Sequence, residues 1–269
     1  MNPFLPAPIT QVSLNATRRA LLPYSALLVL LKALAMIFNQ NDPKRTSDYQ
    51  KGNMDYEFVL CSRFCIVGTL IKENLQNKRI AFIPTAAAKE GASRYVLAGR
   101  ELLSEMGAIV TEIDISKENR NTIKATFAQA DCIYFSGGNS FFLMDALRKS
   151  GTDKLLKKEL QRGKLMVGES VGAIVCAPTI TYIEPMDKKP LEYSQQDDAW
   201  LELVKYYILP HFLDEVYRKA SEEILEKFSE LDARPISNDQ AILVKDNTSK
   251  IICNSDDAKA VRDFRNEQG

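Results

Sequence analysis

The chain is short of the side chain that enzymes use most for moving protons: its 269 residues include one histidine, His211. A mechanism that needs an imidazole has to use that one. The chain also lacks net charge, because lysine plus arginine and aspartate plus glutamate both total 35. There is no broad field to gather nucleic acid or anionic lipid, and no nucleic-acid partner is expected. Disulfide patterning is missing too. The five cysteines, Cys61, Cys65, Cys132, Cys176 and Cys253, are an odd number, and most sit in apolar runs where cysteine acts as a small hydrophobe. A reducing cytoplasm suits that usage. Cys61 and Cys65 are spaced unlike a zinc knuckle and no second pair follows, so no metal site is expected. No dinucleotide fingerprint or Gly-Lys-Ser/Thr phosphate loop occurs either, and no cofactor is expected.

What remains is an ordinary globular composition, 45% apolar, enough for a substantial core. Residues 1–53 read as an N-terminal extension and linker, and 54–269 as one catalytic domain. Within the extension, Arg18-Arg19 precede an apolar run over 20–31 that resumes after Lys32 at 33–38. Three readings stay open: a signal peptide cut near Ala33-Leu34-Ala35, a membrane anchor, or a start assigned too early, with Met54 as the true initiator. Pro23 and Lys32 weigh against the first two, and the polar stretch 39–53 reads as a linker.

From Tyr56 onward, strands and helices alternate. Strands are expected at 57–61, 79–84, 108–113, 131–135, 164–167 and 201–209. Helices are expected at 65–76, 93–106, 122–129, 141–149, 173–176 and 214–231. Residues 179–183 look extended, 184–200 look like a loop, and the end of the chain suggests a hairpin turning at Asp246-Asn247. The strands are continuous apolar runs rather than alternating ones. That predicts an α/β fold, a mostly parallel sheet with helices on both faces.

Between the strand at 164–167 and the helix at 173–176 lies Gly168-Glu169-Ser170-Val171-Gly172. A strand that turns so sharply into a helix lifts its central serine out of the sheet, and the flanking glycines allow close packing. Ser170 is thus a candidate nucleophile, and the Val171 N–H a candidate donor to a developing oxyanion. Gly137-Gly138-Asn139-Ser140 makes another strand-to-helix turn whose backbone N–H groups suit an anion. His211 follows Pro210 at the expected end of the strand over 201–209, where ligands collect in open α/β sheets.

The order of these pieces resembles the serine peptidase family of peptidase E (aspartyl dipeptidase) and cyanophycinase, whose fold is class I glutamine amidotransferase-like. The resemblance rests on the segment Tyr134 through Ser140, on Gly168 through Ala173 with Ala177-Pro178-Thr179-Ile180, on Leu209-Pro210-His211-Phe212, and on Asn238-Asp239-Gln240-Ala241-Ile242. It spans most of 56–253 and leaves the extension outside. It implies Ser170 as nucleophile, His211 as general base, and the Gly138 turn with Val171 as oxyanion hole. The family's third member is usually a glutamate, where this chain carries Asn238 followed by Asp239. A carboxylate accepts best from the imidazole Nδ1–H, so Asp239 is the expected member, ahead of Asn238, Glu184 and Asp187. Glu169 stands where peptidase E carries an aromatic residue, and its carboxylate is expected to bear on the substrate pocket.

The resulting expectation is a cytoplasmic serine exopeptidase acting on dipeptides or short peptides through an acyl-enzyme. Two others compete with it: an α/β-hydrolase-type esterase with its acid among 184–198, and a catalytically degenerate binding protein that lost the acid at Asn238. The expected partner is a small peptide substrate, with no membrane attachment, and exposed sheet edges leave room for a homodimer.

Overall fold

Strands that are apolar on both sides need cover on both faces of the sheet, and parallel pairing with crossover helices supplies it. The computed structural model describes residues 57–90, 93–191, 193, 200–246 and 248–254. Its strands are β1 (Phe58–Cys61), β2 (Arg79–Ile83), β3 (Ile109–Glu112), β4 (Cys132–Phe135), β5 (Leu165–Glu169), β6 (Tyr207–Leu209), β7 (Ala233–Pro235), β8 (Gln240–Lys245) and β9 (Thr248–Cys253). Seven form one sheet in the order β3-β2-β4-β5-β1-β8-β9. The first five of that order run parallel, and β8 and β9 add an antiparallel margin. The fold is therefore α/β with a mostly parallel sheet. The readings of residues 1–53 lie outside the described residues, as does Asn247 at the hairpin turn.

Alternate residues of each central strand serve opposite faces. Phe58 and Leu60 of β1, Ala81 and Ile83 of β2, and Ile133 and Phe135 of β4 enter one core cluster. Val59 and Cys61, Ile80 and Phe82, Cys132 and Tyr134 enter the other. The helices are α1 (Phe64–Val67), α2 (Lys72–Leu75), α3 (Arg94–Glu105), α4 (Arg120–Gln129), α5 (Ser140–Ser150), α6 (Thr152–Leu160), α7 (Val171–Ile174) and α8 (Arg218–Lys227). Ile123 and Phe127 of α4, Leu143 and Leu147 of α5, and Leu156 of α6 cover the first face. Phe64, Val67, Ile71 and Leu75, with Leu103 of α3, cover the second.

Four expectations need correction. The run 201–209 is extended only at β6, because the N–H groups of Leu201, Leu203 and Val204 bond to the Val175 and Cys176 carbonyls and wrap the chain around the end of α7. β6 also lies outside the main sheet and pairs only with β7, in parallel. Residues 179–183 are not extended: Thr181–Ile183 form a 3-10 turn, with the buried Tyr182 hydroxyl donating to the Ile208 carbonyl at 2.8 Å. The helix expected from 214 begins at Arg218, because Asp214 is held in a turn by its N–H to the His211 carbonyl at 3.0 Å.

Backbone contact at the end of β5 fixes where the main chain turns. A Cβ on Gly168 would lie 2.4 Å from the Gly172 carbonyl oxygen, and one on Gly172 would lie 2.5 Å from the Phe135 carbonyl oxygen. In both cases the obstacle is backbone, so a larger residue would push α7 off the sheet. Gly168→Ala is expected to cost about 1–3 kcal/mol of stability. Urea denaturation would measure it, and an unchanged midpoint would show that the strand and helix can separate freely.

Candidate active site

Ser170 occupies the junction between β5 and α7 with φ 50 and ψ −105, a conformation that costs a non-glycine residue on the order of 1–3 kcal/mol. Its backbone is held from both sides. The Ser170 N–H donates to the Cys61 carbonyl at 2.7 Å, and its carbonyl accepts from the Ala173 and Ile174 N–H groups at 2.9 and 3.0 Å. With the backbone so fixed, the side chain stands clear of the sheet, as a strand-to-helix turn of this kind predicts. Gly137 passes beside it: a Cβ there would be 3.4 Å from the Ser170 Cβ and 3.2 Å from the Tyr95 ring. Gly138, with φ +143, presses against the Ala86–Ala87 peptide, where a Cβ would lie 2.1 Å from the Ala86 carbonyl carbon. Val171 opens α7, whose first N–H groups have no partner within the helix.

His211 lies just beyond β6, also with positive φ, at 59. Its N–H donates to the Ser62 Oγ at 3.0 Å, and Ser62 donates in turn to the Ile236 carbonyl at 3.0 Å. Tyr217 stacks on the imidazole with ring centres 4.8 Å apart. The ring is buried and its Nε2 lies 2.8 Å from the Ser170 Oγ. Burial lowers the imidazole pKa from the ordinary 6.5, with the Asn238 hydrogen bond pulling the other way, so the ring is neutral at pH 7.

The Nδ1 of His211 meets the Asn238 Oδ1 at 2.8 Å. Asp239, expected there, is turned away. Its buried carboxylate accepts from the Ser237 hydroxyl and from the Cys253 thiol, the latter at 2.9 Å. Asn238 and Asp239 lie in the turn that leads into β8, closed by the Gln240 N–H to the Ser237 carbonyl at 3.1 Å, and the turn directs one of them to the histidine and ties the other to Ser237 and Cys253. Neither Asp187 nor Glu184 takes that place. Asp187 accepts from the Ser140 N–H at 2.8 Å and from its hydroxyl at the start of α5, and Glu184 is exposed. The carboxylate that does belong to this group is Asp214, whose Oδ2 accepts from the Asn238 Nδ2 at 2.8 Å and from Arg63 at 3.2 Å. In the sequence Asp214 is only the first residue of the helix expected at 214–231, and its spacing of three from His211 is the one signal that could draw notice.

Glu169 is likewise not where the sequence suggests. It is 2% exposed and points away from the pocket, into the core behind the serine. Its Oε1 accepts from the Phe64 N–H at 2.8 Å and its Oε2 from the Tyr134 hydroxyl at 2.7 Å. Burial pushes the carboxyl up to about 7, against both hydrogen bonds and Arg63, which favour the ionised form. Among the described residues, no cluster of histidine, cysteine, aspartate or glutamate is arranged to hold a metal ion. No helix among them is long and apolar enough to cross a membrane.

A carboxyl raised on folding binds its proton more tightly in the native state. It adds stability that is complete below the ordinary 4.5 and is lost as pH rises through about 7. Glu169→Gln, whose amide oxygen can still accept from the Phe64 N–H while its NH2 donates to the Tyr134 oxygen, is expected to gain on the wild type by on the order of 3 kcal/mol across that window. Denaturation at a series of pH values would show this as a difference that grows with pH. A constant difference would contradict it.

Peptidase family S51 matches residues 64–252, which takes in Ser170, His211, Asp214 and Asn238. An uncharacterized peptidase of Listeria innocua is 42% identical over 180 residues, 66% of this chain and 86% of the relative. Another, of Pasteurella multocida, is 39% identical over 200 residues, covering 73% of this chain and 96% of the relative. Peptidase E of Shigella sonnei is 33% identical over 144 residues, 53% of this chain and 59% of its own. Among solved structures, a candidate peptidase E protein from Listeria monocytogenes EGD-e superposes with a TM-score of 0.69 at 36% identity, covering 73% of this chain and 98% of that one. The shared fold is class I glutamine amidotransferase-like. From the length of the family match and the coverage of the two uncharacterized peptidases and of the Listeria monocytogenes structure, the chain belongs to Peptidase family S51, as a peptide hydrolase of the peptidase E type.

Proposed function

We propose that the protein is a serine exopeptidase that cleaves dipeptides or other short peptides through an acyl-enzyme on Ser170. The observation that carries this reading is the 2.8 Å hydrogen bond between the Ser170 Oγ and the His211 Nε2. Serine is unreactive at its own pKa and needs an adjacent base. A neutral imidazole supplies one, and burial keeps this imidazole neutral. The Ser170 oxygen attacks the scissile carbonyl as its proton passes to Nε2, and the resulting oxyanion is met by the Val171 N–H and the Gly137-Gly138 turn. Collapse of the tetrahedral intermediate breaks the C–N bond, with His211 returning the proton to the leaving amine. Water then repeats the sequence on the acyl ester and frees the acid and Ser170. Asn238 holds the imidazole by accepting from Nδ1–H, as asparagine does in some cysteine proteases.

Neither competing reading gains support. An esterase using Asp187 would need that carboxylate on His211, whereas it is bonded to Ser140. The binding-protein reading rests on the lack of an acid at Asn238, and Asp214 stands directly behind that residue.

Ser170→Ala is expected to lower hydrolysis of a reactive dipeptide by on the order of 10⁶-fold if the residues act as a unit. A dipeptide panel that includes aspartyl substrates measures this and the side-chain preference together; full turnover by the variant would remove Ser170 from the mechanism. A fluorophosphonate probe should label the wild type at Ser170, while a binding protein would stay unlabelled. Because His211 acts only when unprotonated and its pKa is lowered, kcat/KM should hold to more acidic pH than the ordinary imidazole value of 6.5 allows. An acid limb above that value would contradict it.

A further inference from the structure

We infer that Asp214 is a positioning residue that fixes the proton direction of the Ser170–His211 pair by orienting the side-chain amide of Asn238. The inference rests on the proposed role of Ser170 and extends it.

An asparagine amide has two ends of nearly equal size, one that accepts and one that donates. If the Asn238 NH2 faced His211, Nδ1 would have to accept, the ring proton would sit on Nε2, and an N–H would point at the Ser170 oxygen. The imidazole could then take no proton from the serine. The opposite orientation puts the proton on Nδ1 and a lone pair on Nε2, as a general base requires. Asparagine alone does not choose between these states.

Asp214 makes the choice. An ionised carboxylate only accepts, so the group 2.8 Å from its Oδ2 has to be the Asn238 NH2, which leaves Oδ1 facing the His211 Nδ1 at 2.8 Å. The Asn238 hydrogen bond, the Val216 N–H and Arg63 hold the Asp214 carboxyl below the usual range, so it is ionised at pH 7, where the imidazole is neutral. Arg63 and Asn238 share Oδ2, at 3.2 and 2.8 Å, and Oδ1 accepts from the Val216 N–H at 3.0 Å. Every hydrogen bond in the row then runs one way: Ser170 to His211, His211 to Asn238, Asn238 to Asp214. The turn that carries His211 also carries Asp214, because the Asp214 N–H donates to the His211 carbonyl at 3.0 Å. The base and the group that sets its tautomer are therefore built on one short loop, with Asn238 reaching in from the turn before β8.

Exchanging the two side chains separates this role from a merely structural one. An aspartate at 238 accepts from Nδ1–H whichever way it turns, and an asparagine at 214 can donate to it. The readout is the rate of fluorophosphonate labelling at Ser170 against pH, on the full chain, for the wild type, Asp214→Asn, Asn238→Ala and the double exchange Asp214→Asn with Asn238→Asp. Asp214→Asn is expected to slow labelling on the order of 10–100-fold, the size usual for a partner one step removed. The double exchange is expected to recover to within several-fold of the wild type, with its acid limb moved to higher pH, because a carboxylate touching the imidazole favours the charged ring. Wild-type labelling by Asp214→Asn across the pH range overturns the inference. So does a double exchange no faster than Asn238→Ala, and this comparison decides alone if Asp214→Asn does not fold. A wild type that takes no label at Ser170 overturns the serine mechanism itself. Labelling of the wild type with an unaltered Asp214→Asn overturns only the role given to Asp214.

Discussion

The Ser170 N–H to Cys61 carbonyl hydrogen bond, 2.7 Å long, ties the end of β5 to the end of β1 at the point where the chain must leave the sheet. Because that tie holds, the next residues can turn into α7 while Ser170 remains at φ 50. The glycines on either side let the helix fall onto the sheet, since any Cβ at 168 or 172 would strike backbone. Glu169 fastens the same corner from behind by bonding to the Phe64 N–H and the Tyr134 hydroxyl. Strain at one residue is thus sustained by ordinary contacts around it, as expected where a side chain has to be presented against its backbone preference.

The second half of the site is assembled by a different part of the chain. β6 and β7 form their own small parallel ribbon, and His211 and Asn238 leave it just beyond its two strands. Ser62, at the end of β1, links the two halves by accepting from the His211 N–H and donating to the Ile236 carbonyl. β1 therefore registers both the serine, through Cys61, and the histidine, through Ser62. Two adjacent residues at one strand end thus set how far the Ser170 Oγ lies from the His211 Nε2.

Much of this is legible in the sequence, and what is not has identifiable causes. Continuous apolar strands point to the parallel sheet, and Gly168-Glu169-Ser170-Val171-Gly172 to the turn, because both signals are local. The course of 201–204 is hidden because apolar residues that wrap a helix end look the same in sequence as a strand. The preference of imidazole for a carboxylate singles out Asp239 as the partner of His211. That preference is met one residue further out, through an amide, by an aspartate on another loop. Glu169 neighbours the serine and so suggests a place in the pocket, yet it is the last residue of β5 and its side chain is held in the core by the Phe64 N–H and the Tyr134 hydroxyl. In each case the missing information is which side of the backbone a residue takes, and that is settled only by tertiary packing.

The ring of Tyr217 lies over the imidazole of His211, and the amide of Asn238 holds its far nitrogen. Swinging that imidazole between a serine and a departing group would mean displacing an aromatic neighbour and breaking the bond behind it. In the proposed mechanism the base is consequently a fixed post rather than a shuttle. It is the bound peptide that has to bring its nitrogen to the post, so the pose in which a substrate settles decides whether its bond can be cut before any bond begins to change.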